Sequence, residues 1–311
     1  MSIKWQTLIL IILILVSVTV TKLYGISPSS ENTSNNATTT ASSNQQASLS
    51  DIEPVKKIPT RKWDVLDPKL SADVIIAHSL DDNLPFYYQN IRDAHVLASL
   101  TKLLTTIVVM EDIGLDKKIP VTKEAIETRG LAGDLKSGES YSARDLLKIM
   151  LLTSSNDAAA AFEKYVGGKE KMAKKINNKA IKLGLNSISV EDASGLCDYN
   201  MGEGIDFLKL TKYILKHHPE IFTWTQAHDI WVQPWNGANQ RKVYNINPLS
   251  NNKSFLGGKT GTSKVAGENL VSVFNIENRR VVIILMGSQN RVEDSQKLIS
   301  WIKKAYTFPE E

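Results

Sequence analysis

The order of strand-like and helix-like segments restricts the fold of this chain more than any other feature of its sequence. Two strand-like segments come early and three come late, at 72–78, 84–90, 255–262, 270–276 and 281–287. Between and after them the apolar spacing predicts helices, at 99–113, within 142–184, at 206–217 and at 294–306. Strands at both ends around a helical middle predict an α/β (α+β) fold, with one sheet of about five strands, flanking helices and a helical subdomain inserted over about 100–245.

A continuous apolar segment at 5–24 sets the N-terminus apart. Residues 8–16 are all aliphatic, and about 20 residues are enough for a helix to span a bilayer. We therefore interpret residues 1–26 as a membrane anchor with the rest of the chain on the outer side of the cell membrane. The alternative is a cleaved signal segment and a secreted protein, but no convincing small-x-small cleavage site precedes Tyr24.

The segment that follows has the composition of a flexible tether. Residues 27–50 are almost entirely Ser, Thr, Asn, Gln and Ala, which cannot form a core. Such a stretch has a root-mean-square span of about 27 Å. A lead-in with three prolines follows, so we expect a tether and lead-in over 27–64 and a folded domain over 65–311.

Charge and cysteine content exclude several classes of partner. The net charge of +4 over 311 residues is too small to indicate nucleic-acid binding. Cys197 is the only cysteine, so the chain can form neither an internal disulfide nor a thiolate metal cluster. The five histidines show no metal-ligand spacing, and we expect no metal site. The sequence leaves the oligomeric state open, with a monomer favoured.

Ser99 and Lys102 stand at the start of the first predicted helix. Residues three apart share a helix face, so the amine can take the proton of the hydroxyl. A helix N-terminus also favours developing negative charge. The alternative is that Ser99 caps the helix and Lys102 extends to solvent. The same S-x-x-K spacing recurs at 250–253 and 300–303, where it carries no such context.

Ser154, Ser155 and Asn156 form a second polar group, 55 residues after Ser99. They supply a hydroxyl and an amide that could serve an acyl-transfer site. The alternative is helix capping, because Ser and Asn directly precede the alanine run at 158–161.

The third group, Lys259, Thr260, Gly261 and Thr262, lies in a glycine-rich strand. Its start also resembles the end of a phosphate-binding P-loop, which would indicate an NTPase. That loop needs a glycine where the chain has Lys253, and it must open a helix rather than continue a strand. The NTPase alternative therefore fails. Glycines at 257, 258 and 261 instead allow the backbone of a ligand to approach closely.

S-x-x-K, S-x-N and K-T-G in this order are the signature of class A β-lactamases and penicillin-binding proteins. The chain resembles the serine D-Ala-D-Ala carboxypeptidases, the low-molecular-mass penicillin-binding proteins of bacterial cell-wall metabolism. The likeness covers roughly residues 70–305 and extends to segments outside the motifs, at 178–180, 183–184, 193–196 and 266–267. It implies an antiparallel sheet of the serine β-lactamase type. The chain departs from the family in having Ser155 where Gly is common and in stopping before the C-terminal β-rich domain of many members.

The resemblance implies a role for each motif residue. Ser99 would be the nucleophile, Lys102 its base, and Ser154 a proton relay to the leaving amine. Asn156 would bind the substrate amide, and Lys259, Thr260 and Thr262 the terminal carboxylate, with the peptide lying along the strand that contains Gly261. The substrate would be peptidoglycan stem peptides, β-lactams would be covalent inhibitors, and no cofactor would be needed.

Three other functions compete with removal of the terminal D-alanine. A D,D-endopeptidase would use the same residues to cut cross-links, and the motifs do not separate it from a carboxypeptidase. A β-lactamase of class A needs an E-x-x-x-N loop between the second and third motifs, and no glutamate there has an asparagine four residues on. A catalytically inactive wall-binding module is disfavoured because all expected catalytic side chains are present.

Overall fold

The computed structural model describes residues 57–130, 133–235 and 239–309. Within them the strands are β1 (Thr60–Arg61), β2 (Val74–Ser79), β3 (Leu84–Gln89), β4 (Ala94–Val96), β5 (Lys118–Pro120), β6 (Ser140–Ser142), β7 (Met201–Glu203), β8 (Asp229–Val232), β9 (Arg241–Tyr244), β10 (Phe255–Ser263), β11 (Gly267–Ile276), β12 (Arg279–Ser288) and β13 (Tyr306–Thr307). The helices are α1 (Thr101–Val108), α2 (Lys123–Ile126), α3 (Ala143–Leu152), α4 (Asn156–Val166), α5 (Lys169–Lys182), α6 (Gly204–His217), α7 (Glu220–Gln226) and α8 (Arg291–Ala305).

The central sheet has five antiparallel strands in the order β10-β11-β12-β2-β3. β12 and β2 join the late strands to the early ones, with Val282 opposite His78 and Ile284 opposite Ile76. Both strands are rich in Val and Ile, whose branched side chains suit a strand buried on both faces. The prediction of one antiparallel sheet built from both ends of the chain is confirmed.

Alternate residues of the central strands feed two separate cores. Val74 and Ile76 of β2 join the large core of the helical subdomain. Ile75 and Ala77 face the opposite way and pack with α8. The sheet is therefore covered on both faces, and α1 lies inside the larger core with all eight of its residues buried.

Three two-stranded ribbons that the sequence pattern did not predict lie in the helical subdomain or directly before it: β4–β7, β5–β6 and β8–β9. Their strands have three or four residues each. Strands this short leave too few residues to establish an alternating pattern.

Paired structure begins five residues before the predicted boundary at 65. β1 pairs with β13 at the other end of the chain, with Thr60 opposite Thr307. The Arg61 guanidinium lies 4.8 Å from the centre of the Trp301 ring and donates to the Val65 carbonyl at 2.7 Å. These contacts hold part of the proline-containing lead-in on the domain.

The predicted anchor at 1–26 and the tether up to residue 56 lie outside the described residues. Among the helices that are described, none has the length and hydrophobicity needed to cross a membrane.

Candidate active site

Ser99 lies in a short 3₁₀ turn, Ala98–Leu100, that leads directly into α1. The turn is entered through Ala98 with φ of 45°, a left-handed conformation that is uncommon for residues other than glycine. Two glycines allow it: a Cβ on Gly195 would lie 1.8 Å from the Ala98 oxygen, and one on Gly261 would lie 3.1 Å from the Ser99 nitrogen. The backbone at Ser99 is thus held between two close neighbours.

Lys102 is fully buried one turn after Ser99, and its amine is surrounded by three oxygens. Nζ lies 3.0 Å from Ser99 Oγ and donates to Asn156 Oδ1 at 2.8 Å and to the Ser194 carbonyl at 2.6 Å. This arrangement excludes the alternative in which Lys102 extends to solvent.

Burial also changes the acidity of this amine. It lowers the pKa of Lys102 to about 7, although the nearby carboxylates of Asp192 and Glu163 raise it. An amine with this pKa is partly unprotonated at neutral pH. Its lone pair can then accept the proton of the Ser99 hydroxyl at 3.0 Å.

Asp192 shapes the loop that supports Lys102, and the motif search missed it. Its carboxylate accepts the backbone N–H groups of Ser194 (2.7 Å), Gly195 (2.6 Å) and Cys197 (2.6 Å). Burial raises the pKa of Asp192, but these hydrogen bonds outweigh burial and the pKa is lowered overall. The sequence signal was an aspartate directly before the Ala-Ser-Gly-Leu segment at 193–196, which is an ordinary turn composition.

Glu163 supports the same loop from α4. Its carboxylate accepts the N–H of Ala193 at 2.8 Å. Burial raises its pKa, with the hydrogen bond from Ala193 acting in the opposite direction. Nothing in the sequence separates Glu163 from the other acidic residues of the helices.

The three residues Ser154, Ser155 and Asn156 make different contacts. Ser155 caps α4 by accepting the N–H of Ala158 at 3.0 Å, so the capping alternative holds for this residue. Asn156 is fixed at both ends of its amide, since Oδ1 accepts from Lys102 and Nδ2 donates to the Arg129 carbonyl at 2.8 Å. Ser154 has a left-handed φ of 57°.

The hydroxyl of Ser154 connects this group to the third motif. Lys259 Nζ donates to Ser154 Oγ at 2.9 Å and to the Thr260 carbonyl at 2.6 Å. Burial, followed by the positive charges of Lys102 and Arg291, lowers the pKa of Lys259 well below its ordinary value. A bound carboxylate would offset the repulsion between Lys259 and these two positive charges.

β10 is an edge strand of the sheet, and its motif residues lie beside the Ser99 turn. Thr260 is buried, whereas Thr262 is exposed and its Oγ1 accepts from Arg291 at 2.6 Å. Arg291 Nη1 also donates to the Gly261 carbonyl at 2.8 Å. Arg291, the first residue of α8, adds a cation that the motif search did not find.

The structure therefore brings the eight predicted site residues into one region. Ser99, Lys102 and Asn156 form one hydrogen-bonded set, and Ser154 with Lys259 forms a second. Thr260, Gly261 and Thr262 continue along β10. Across the part of the chain that is described, His, Cys, Asp and Glu side chains nowhere gather in threes suited to a metal ion.

Comparison with known proteins agrees with this geometry. The D-alanyl-D-alanine carboxypeptidase family (peptidase S11) matches residues 62–290. The D-alanyl-D-alanine endopeptidase of Escherichia coli is 27% identical over 78% of this chain and 80% of its own length. The D-alanyl-D-alanine carboxypeptidase DacD of the same organism is 30% identical over 68% of this chain but 57% of its own length.

A solved structure shares the fold. Penicillin-binding protein D2 from Listeria monocytogenes, in its ampicillin-bound form, superposes with a TM-score of 0.67. It is 25% identical and the match covers 76% of this chain and 99% of that protein. Together with the family match, this shows that the chain is a serine peptidase that belongs to the D-alanyl-D-alanine carboxypeptidase family.

Proposed function

We propose that this protein removes the terminal D-alanine from peptidoglycan stem pentapeptides through an acyl-enzyme on Ser99. One observation carries the proposal: a buried lysine amine with a pKa of about 7 lies 3.0 Å from the Ser99 hydroxyl. An ordinary serine is a weak nucleophile, and an adjacent base is what activates it.

Acylation begins when Ser99 Oγ attacks the carbonyl carbon of the penultimate D-alanine and its proton passes to Lys102. The carbonyl oxygen becomes an oxyanion, which the N–H groups of Ser99 and Thr262 stabilise by about 3–4 kcal/mol per donor. When the peptide bond breaks, Ser154 gives its proton to the leaving nitrogen and receives the proton that Lys102 took from Ser99, so that Lys102 is unprotonated again before deacylation. Lys259, which donates to Ser154 at 2.9 Å, orients the Ser154 hydroxyl.

Deacylation reverses the proton flow. Water attacks the ester carbonyl and loses a proton to Lys102, and Ser99 leaves with a proton from the same amine. Because the Asn156 and Ser194 oxygens hold Lys102 in place, the base keeps its position between the two half-reactions.

The terminal carboxylate of the substrate would bind at the end of β10. Lys259, Thr260 and Thr262 lie there, and Arg291 adds a second positive charge. The peptide would lie along the edge of β10 as an added strand. The negative charge of the substrate would raise the pKa of Lys259 again, which favours its protonated form.

β-Lactams would acylate the same serine. The structural relative from Listeria monocytogenes is described in an ampicillin-bound form. A β-lactam carries an acyl carbonyl and a carboxylate, which fit Ser99 and the Lys259 region respectively. We propose covalent inhibition at Ser99.

Cross-link cleavage by the same residues is the second candidate. The match covers 80% of the length of the Escherichia coli endopeptidase but 57% of the length of DacD. Of these two relatives, the endopeptidase is therefore matched over the larger part of its chain. In this reaction the D-alanine carbonyl of the cross-link forms the ester with Ser99, and the leaving group is the amine of the second stem peptide to which that carbonyl was joined.

Muropeptide mass spectrometry separates the two reactions. Full-length protein in mild detergent is incubated with a mixture of pentapeptide monomers and cross-linked dimers. Loss of one D-alanine from the monomers with intact dimers supports the carboxypeptidase, and splitting of the dimers identifies the endopeptidase. If neither substrate is cleaved and penicillin does not label Ser99, the proposed function is wrong.

We also propose that residues 1–26 anchor the protein in the bacterial membrane, that 27–64 form the tether and lead-in, and that the catalytic domain works outside the cytoplasm. The apolar segment at 5–24 and the peptidoglycan substrate of the family support this arrangement. Membrane fractionation of cells that express the chain with and without residues 1–26 tests it. Equal release of both forms into the medium would contradict the anchor.

A further inference from the structure

The outer face of the β8–β9 ribbon carries exposed aromatic side chains that the proposed reaction does not use. Trp231 is 57% exposed and Tyr244 is 59% exposed. Ile246 follows on the same side of the chain and is 47% exposed. Apolar side chains grouped on a surface and interrupted by polar groups are typical of binding sites.

The register of the ribbon places these side chains together. Trp231 is opposite Lys242, and Asp229 is opposite Tyr244, so all four share one face. The other face carries Val232 and Val243, which are buried in the core. The exposed rings therefore belong to a ribbon whose back is fixed to the domain.

The amine of Lys242 lies close to both aromatic rings. Its amine lies 5.5 Å from the centre of the Trp231 ring and 6.0 Å from that of Tyr244. Asp229 pairs with the same amine at 3.0 Å. The face thus presents two flat apolar rings with hydrogen-bonding groups between them. Because these side chains already contact one another, a ligand would have to immobilise few of them on binding.

The face adjoins the segment that leads into Ser154. Ile246 donates its N–H to the Leu152 carbonyl, two residues before Ser154. A cavity of about 260 Å³ lies at this junction, and its lining includes Thr153, Tyr244 and Ile246. Tyr244 and Thr153 thus line one cavity, and Thr153 directly precedes Ser154 in the chain. An extended five-residue stem peptide spans about 17 Å, so the glycan that carries it lies away from Ser99.

We propose that this aromatic platform, made of Trp231, Tyr244 and Ile246 with Lys242 and Asp229 between the rings, binds the glycan strand of peptidoglycan. The inference rests on the proposed function, because the glycan is the polymer to which the stem peptide is attached. Sugar rings have flat apolar faces that pack on aromatic rings, and hydroxyl and N-acetyl groups that bond to ammonium and carboxylate groups. Since Asp229 neutralises Lys242, the platform suits an uncharged polymer better than an anionic membrane.

The test compares two substrates on one set of variants. Trp231→Ala combined with Tyr244→Ala is expected to lower kcat/KM on intact peptidoglycan about tenfold and to weaken binding to peptide-free glycan strands by a similar factor. Turnover of a short diacylated D-Ala-D-Ala peptide and fluorescent-penicillin labelling should stay within about twofold of wild type. Trp231→Phe combined with Tyr244→Phe should retain glycan binding.

The matched control is Trp63→Ala, which removes an 86% exposed tryptophan from the lead-in. It should leave both substrates unaffected. The inference is overturned if the double alanine variant binds glycan strands as the wild type does, or if it loses the short peptide and the polymer to the same extent. A wild type that turns over neither substrate would instead contradict the proposed function. A change from dimer to monomer in the double variant, with glycan binding intact, would identify a second copy of the chain as the occupant and also overturn it.

Discussion

At the residue scale, two buried lysine amines influence each other electrostatically. Lys102 and Lys259 are both fully enclosed, and the positive charge of Lys102 is among the causes that lower the pKa of Lys259. Groups coupled in this way release their protons in steps that belong to the pair rather than to either residue. The pH dependence of acylation should therefore reflect pKa values that belong to Lys102 and Lys259 together. The carboxylates near Lys102 shift these values.

Glu163→Gln is predicted to move the acidic limb of the acylation rate to lower pH. The Glu163 charge raises the pKa of Lys102, which is about 7, so removing the charge lets Lys102 lose its proton at lower pH. The glutamine oxygen can still accept from Ala193, which preserves the loop. Stopped-flow acylation by a fluorescent penicillin from pH 5 to pH 9 measures the midpoint. A midpoint that stays in place or rises contradicts the electrostatic role of Glu163.

Ser99→Ala is predicted to reduce covalent penicillin labelling to background while the thermal transition stays within about 2 °C of wild type. The hydroxyl is the only group lost, and Ser99 lies at a half-buried position. Ser300→Ala is the matched control, because Ser300 also stands three residues before a lysine but is exposed on α8. Gel fluorescence and intact mass give the result, and a labelled Ser99→Ala protein would refute the nucleophile.

Local geometry identified Ser99 and Lys102 in the sequence, whereas the family resemblance identified the other predicted site residues. Ser99 and Lys102 are one helical turn apart, and this spacing alone puts them on one face. Asp192 and Arg291 act through loops and chain ends that only the folded backbone brings near. Their sequence context is a common turn and a helix start, so no local pattern distinguishes them.

At the element scale, a glycine decides how closely the 193–197 loop approaches the Ser99 turn. Gly195→Ala is predicted to destabilise the protein by more than about 2 kcal/mol and to slow acylation, because the new Cβ would lie 1.8 Å from the Ala98 oxygen. Gly138→Ala is the control, since Gly138 has a similar φ of 88° but no neighbour within 4 Å. It should cost about 1 kcal/mol and leave acylation unchanged. Chemical denaturation and penicillin kinetics measure both; equal losses of stability would show that backbone conformation alone matters.

Asp157, in the first turn of α4, makes stability depend on pH. Within the described structure neither of its buried oxygens has a hydrogen-bond partner. Burial raises its pKa from 3.8 to about 6. Below about pH 3 the carboxyl is protonated in both the folded and the unfolded chain. As the pH rises from 3.8 towards 6 the unfolded chain ionises first, so the folded state loses stability, and above about pH 6 the loss is complete.

Asp157→Asn should therefore stabilise the protein by about 1–3 kcal/mol at pH 7.5 and have little effect at pH 4. Denaturant titrations at the two pH values check this. A gain that is equal at both pH values would mean that packing, and not charge, is responsible.

Among the elements, length decided what could be predicted from the sequence. β10, β11 and β12 have nine or ten residues and were all expected, because a long strand shows its pattern repeatedly. The β8–β9 ribbon has four residues in each strand and was missed. Its importance lies in which side chains face outwards, which depends on the register.

At the scale of the whole molecule, the domain is closed by the pairing of its two ends. A chain that starts at Lys57 keeps Arg61 on Trp301, whereas one that starts at Leu66 loses it. We predict that the shorter chain melts roughly 5 °C lower, since a partly buried cation–π contact and its hydrogen bonds are lost. Differential scanning calorimetry compares the two. Equal melting temperatures would show that residues 57–65 add nothing to the stability of the domain, in agreement with the predicted boundary at residue 65.

The same β1–β13 pairing has a mechanical consequence. The chain enters and leaves the domain side by side, and only two residue pairs join these strands. A pull on the segment before Lys57 would open those two pairs one after the other. It would do so before it loaded the five-stranded sheet, where β12 and β2 alone are joined by six residue pairs.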